Sequence, residues 1–105
     1  MPYLVRLSGR AFRDLETIYE FIEADVFETA FKRFNDLSEA IYSLEHVPER
    51  GAITPESKKL RHLLFGETPD TYRVIYTVDK RKQAVNILHI RHAARAQFSI
   101  DGEML

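Results

Sequence analysis

The spacing of apolar residues changes along the chain, and the changes mark its elements. Tyr3-Leu4-Val5-Arg6-Leu7 alternates, is rich in strand formers and stops at Ser8-Gly9, which predicts a short first strand. Ser8 suits the N-cap of a helix. Beyond it Ala11, Phe12, Leu15, Ile18, Tyr19 and Ile22 recur at intervals of three and four, while Arg13, Asp14, Glu16, Glu20 and Glu23 occupy the opposite face. Asp25-Val26-Phe27-Glu28 has the form of a capping box and opens a second helix. Its period runs through Phe27, Ala30, Phe31, Phe34, Leu37, Ile41 and Leu44 until Pro48 and Gly51 end it. The stripe Phe27, Phe31, Phe34 has the spacing of a buried helix face.

The segment from Pro48 to Ser57 holds two prolines and a glycine and reads as a loop. Strand patterns follow. Lys59 to Phe65 is strand-like, Gly66-Glu67-Thr68-Pro69-Asp70 is turn chemistry, and Thr71 to Val78 places β-branched and aromatic residues on both faces. Asp79-Lys80-Arg81-Lys82-Gln83 has hairpin length, and Ala84 to Arg91 returns with Val85, Ile87, Leu88 and Ile90 at both parities, as in a central strand. Consecutive helices between strands predict an α+β fold of order β-α-α-β-β-β, a helical hairpin lying on one face of a mostly antiparallel twisted sheet. The cations of the later strands, Arg73, Arg91 and Arg95, are then expected to gather on the uncovered face.

Composition narrows the setting. The 105 residues, 45% hydrophobic and 30% charged, fit one globular domain spanning 1–105. Cysteine is absent, which excludes disulfides and thiolate metal sites, and no apolar run approaches the length of a signal peptide core or a membrane span, so a cytoplasmic protein is expected. The net charge of −1 conceals an asymmetry: Lys58 to Arg95 carries nine Lys/Arg against three acids, +6, whereas residues 1–57 carry six against eleven, −5. Such a division can steer an anionic partner to one surface, although a basic stretch is as often plain solvated charge.

Three stretches resemble the RelE/ParE toxin superfamily in order and spacing. Leu7-Ser8-Gly9-Arg10-Ala11-Phe12-Arg13-Asp14-Leu15, continued by Ile18-Tyr19, is similar to its opening strand and helix. Tyr72-Arg73-Val74-Ile75-Tyr76, the most specific, is similar to its Tyr-Arg-(apolar)-(apolar)-Tyr strand. Val85 to Arg95, with its His and Arg residues, is similar to the closing strand. The resemblance implies a toxin without a cofactor, neutralised in a hetero-oligomer by a cognate antitoxin whose disordered tail folds onto it. It leaves open two activities, because function belongs to the site and not the fold: RelE-like toxins cut messenger RNA in the ribosome, and ParE-like toxins poison DNA gyrase. The long helical hairpin looks more like ParE.

Metal-free RNA cleavage needs a base, cations for the developing phosphorane and an acid. By resemblance Arg73, Arg61, Arg91 and Arg95 are the candidate cations, but the paired lysines of RelE-like toxins are missing and Phe98 lies near the position of the expected tyrosine. Phenylalanine exchanges no proton, so His62, His89 or His92 would have to serve, His92 being the histidine retained with the arginines as a candidate. The alternative for Arg73 is a sheet arginine paired with an acid, and for the histidines hydrogen-bonded packing. His89 and His92 stand three apart, which on a continuous strand directs them to opposite faces and away from a shared metal ion. Three readings follow: a ParE-like gyrase inhibitor, a RelE-like ribonuclease, or a non-toxic binding module of the same family.

Overall fold

The computed structural model describes residues 2–23, 27–66 and 71–92. The elements are β1 (Leu4–Leu7), α1 (Gly9–Glu23), α2 (Phe27–Tyr42), a 3-10 turn (Ser43–Glu45), β2 (Ala52–Ile53), β3 (Arg61–Phe65), β4 (Tyr72–Asp79) and β5 (Ala84–His92). The expected α+β order holds with one addition. A two-residue strand, β2, lies inside the Pro48–Ser57 loop, where Ala52 pairs with His62 and Ile53 with Arg61. So short a pairing leaves no periodic trace in sequence. The Asp25 cap and the residues of the 67–70 turn lie outside the described residues.

The sheet runs β1-β5-β4-β3-β2, antiparallel throughout except that β1 is parallel to β5. β4 and β5 sit at its centre, as their two-faced apolar patterns require. Between them a bulge sets Ile75 opposite His89 but Tyr76 opposite Ile87, leaving Leu88 as the extra residue. Ile87 and Ile90 consequently both enter the helix-side core, and Leu88 packs on the other side. The helix-side core joins Ala11 and Ile18 of α1, Leu37 and Ile41 of α2 and Leu44 to Leu63, Val74, Tyr76, Val85, Ile87 and Ile90. Each fully buried aliphatic side chain there contributes about 1.5–3 kcal/mol of transfer free energy.

Ser8 caps α1 as expected, its Oγ accepting from Ala11 N at 3.0 Å. The same hydroxyl donates to Leu88 O at 2.9 Å, which fixes the helix start against β5. Phe12 departs from its expected place in the core: it is 57% exposed. It lines an open groove of about 260 Å³ with Leu15, Glu16, Tyr19, Glu20 and Phe34. A helix of this width has room to bury only part of its apolar arc against the sheet, and Ala11 and Ile18 take that part. Phe34 meets Tyr19 edge-on, with ring centroids 4.9 Å apart, at the junction of the helices. The side chains of Phe27 and Phe31 lie outside the described residues.

Candidate functional site

On the face away from the helices, Arg73 stands near the start of β4, the middle strand of the sheet, with Leu64 and Arg91 as its cross-strand neighbours. Both arginines are buried. Arg73 and Arg91 therefore share a face as expected, but they are buried there and not open to solvent, and Arg95 lies outside the described residues. Two adjacent cations in a sheet repel each other. Glu56, from the connection between β2 and β3, neutralises one: its two carboxylate oxygens accept from both terminal nitrogens of Arg73 at 2.8 and 2.9 Å. Arg73 Nε donates to His62 Nδ1 at 3.0 Å. With side-chain exposures of 10% and 6%, Arg73 and Glu56 form a forked, desolvated ion pair.

The chemistry of this cluster follows from its hydrogen bonds. The Arg73 guanidinium holds the Glu56 carboxyl below the usual carboxylate range, against the opposing pull of burial. His62 is pushed down from 6.5, first by burial and then by Arg73. Its Nδ1 lone pair is already taken by the Arg73 N–H, so the ring is neutral with the proton on Nε2. A histidine in that state has no free basic nitrogen, and an arginine with all three nitrogens engaged presents no open fork to a phosphate.

Glu56 is held in place by its own loop. Thr54 Oγ1 donates to Ser57 O at 3.0 Å and accepts from Ser57 N at 3.1 Å, while Thr54 N donates to Leu60 O at 2.9 Å. Leu60 packs on Ile75 and Leu88, so the loop lies over the sheet beside Arg73. Nothing in the sequence announced Glu56, which is 17 positions from Arg73 in an irregular segment.

Arg61 is not part of this cluster. Opposite Tyr76 in register, it faces the helix side of the sheet, and it donates to Gly51 O at 2.7 Å and to Glu49 Oε2 at 3.3 Å. Alternation along β3 separates it from His62, its immediate neighbour. Tyr76, the second tyrosine of the Tyr-Arg strand, is fully buried and accepts from Gly51 N at 2.8 Å; burial pushes its phenol pKa up. A Cβ at Gly51 would come within 2.5 Å of His62 O and 2.7 Å of the Tyr76 hydroxyl, so only glycine fits there. Tyr76 therefore anchors the loop from within the core.

His89 belongs to a third arrangement, at the edge where β1 ends. Ser8 N donates to Ile87 O, and beyond that point Asp14 of α1 takes over from the missing strand: its Oδ2 accepts from Ile90 N at 3.0 Å and contacts His89 Nδ1 at 2.6 Å. Asp14 and His89 are 75 positions apart. His92 ends β5, with its backbone opposite Tyr72; its side chain lies outside the described residues. The candidate residues thus divide among a neutralised Arg73 cluster, a loop-bound Arg61 and a β5 edge.

The family model for the ParE toxin of the type II toxin–antitoxin system parDE matches residues 5–97. No curated protein matches the chain in sequence. Among solved structures, the chromosomal ParDE system from Pseudomonas aeruginosa is 24% identical with a TM-score of 0.68, over 86% of this chain and 95% of that one. The RelBE2 toxin–antitoxin complex from Mycobacterium tuberculosis is 25% identical with a TM-score of 0.65, over 90% and 94%. A mutant of Escherichia coli RelE in the free state shares the fold at 15% identity and a TM-score of 0.63, over 90% and 86%. With the family model spanning all five strands and both helices, the chain belongs to the ParE toxin family of type II toxin–antitoxin systems.

Proposed function

We propose that this toxin arrests growth by binding DNA gyrase and not by cutting RNA, and that a cognate antitoxin neutralises it. One observation carries the reading: Arg73, the cation that a RelE-like mechanism would place on the phosphate, is spent on Glu56 and His62 inside the protein. Arg61 on the opposite face of the sheet adds nothing to it. Inhibition by binding needs no acid–base pair and is compatible with a neutral His62. The antitoxin reading is supported by the groove of Phe12, Tyr19 and Phe34, an apolar surface that an amphipathic segment would bury.

A RelE-like ribonuclease is the second reading, favoured by the likeness to the RelBE2 complex. Purified toxin tested in parallel on gyrase with supercoiled plasmid and on ribosomes programmed with messenger RNA separates the two. The expected outcome is trapped, cleaved plasmid with intact messenger. Cut messenger with unaffected gyrase would replace the first reading by the second.

A further inference from the structure

The positive charge of the chain's second half is concentrated at one end of the sheet. β3 runs antiparallel to β4 with Arg61 opposite Tyr76, so the residues ahead of Arg61 lie toward the end where β4 turns into β5. That turn carries Lys80, Arg81 and Lys82, and the approach to β3 carries Lys58 and Lys59. Glu49 draws in a third segment, with Arg50, by contacting Lys80 Nζ at 3.0 Å and Arg61 at 3.3 Å. All six of these Lys and Arg side chains other than Arg61 are exposed.

The acids nearby are already used. Glu49 serves Lys80 and Arg61, and its carboxyl is held below the usual range chiefly by Lys80, while Asp79 accepts from Lys82 N at 3.0 Å. Lys58, Lys59, Arg81 and Lys82 make no ion pair among the described residues. Exposed apolar residues flank this end without joining. Leu4 is in β1 and Ile53 in β2, the two outer strands, four strand spacings or roughly 19 Å apart, and Val47, three positions before Arg50, is a single further exposed side chain, so these residues are scattered and form no continuous patch. A protein interface would need an apolar centre here. Unpaired, solvated cations without such a centre suit phosphates, whose recognition is electrostatic and independent of sequence. The helices, by contrast, expose acids (Glu16, Glu20, Asp36 and Glu39) interspersed with cations (Arg13, Lys32 and Arg33), so the opposite layer carries mixed charge with a slight acidic excess.

We infer that this end of the sheet binds the phosphate backbone of duplex DNA. The choice of DNA over RNA rests on the gyrase reading. The probe is a short fluorescein-labelled duplex DNA, titrated with the full chain between about 50 and about 200 mM salt, beside duplex RNA and polyglutamate of equal charge. Four phosphate contacts give a slope of about −3.6 in log affinity against log salt, a loss on the order of a hundredfold across that range. A variant carrying Lys58→Ala, Lys59→Ala, Arg81→Ala and Lys82→Ala should fold, because these side chains have no partners to lose, and its slope should collapse toward zero. Polyglutamate bound as well as DNA, or a variant that binds DNA like the parent, overturns the inference. A tenfold preference for RNA overturns the assignment to DNA. Salt-dependent DNA binding by a toxin that leaves gyrase untouched retires the gyrase reading and keeps the surface.

Discussion

The two faces of the sheet are built on different principles. The helix side is an apolar core in which Val74, Tyr76, Val85 and Ile87 meet Ala11, Leu37 and Ile41, and each contact can be replaced by another of similar volume. The opposite side buries charge. Arg73, Glu56 and His62 fit only as a set, because each satisfies an atom that would otherwise be buried and unpaired. Conservative changes are therefore tolerated on the first face, whereas on the second the loss of one member is felt by the others.

The sharpest test of that contrast is Glu56→Ala, which leaves Arg73 charged and buried. A loss of about 3–5 kcal/mol in denaturant unfolding is expected, and the double variant Glu56→Leu with Arg73→Met should recover most of it. If the single variant costs less than about 1 kcal/mol, the ion pair is peripheral and the two faces do not differ in this way. Next in size is Asp14→Ala, which strips the acceptor from Ile90 N at the β5 edge; about 1–3 kcal/mol is expected, with faster amide exchange at Ile90. Unchanged exchange there would show that Asp14 does not close the edge.

A smaller effect should appear in the pH dependence of stability. His62 protonates near 6.5 in the unfolded chain but resists protonation in the fold, so its stabilising contribution is complete above that pH and declines as pH falls below it. Glu56, with a lowered pKa, keeps its contribution until the pH drops below its ordinary value of 4.5. His62→Gln should flatten stability between those two values and spare the steeper loss at lower pH. An identical pH curve for the variant would remove His62 from the account. Smallest of all, Phe12→Ser on the groove should change stability by no more than about 0.5 kcal/mol while weakening antitoxin capture. A large loss of stability would place Phe12 in the core after all.

Much of the framework was legible in the residues. Periods of three and four placed α1 and α2, alternation and turn chemistry placed β3, β4 and β5, and Ser8 marked the start of α1, because these signals act between near neighbours in the chain. The family resemblance singled out Arg73 and Tyr76, but their roles depend on distant partners. Glu56 reaches Arg73 from an aperiodic loop, Gly51 meets Tyr76 across 25 positions, and Asp14 meets Ile90 across 76. Whether an arginine on a strand faces a substrate or a carboxylate is settled by what folds over it, and no local pattern encodes that. The sequence by itself determined the elements, their order and the division of charge. Only the tertiary structure decided that Arg61 and Arg73 lie on opposite faces, that Phe12 is exposed, and that the central cation is neutralised from within, since burial and ion pairing are properties of the packed chain.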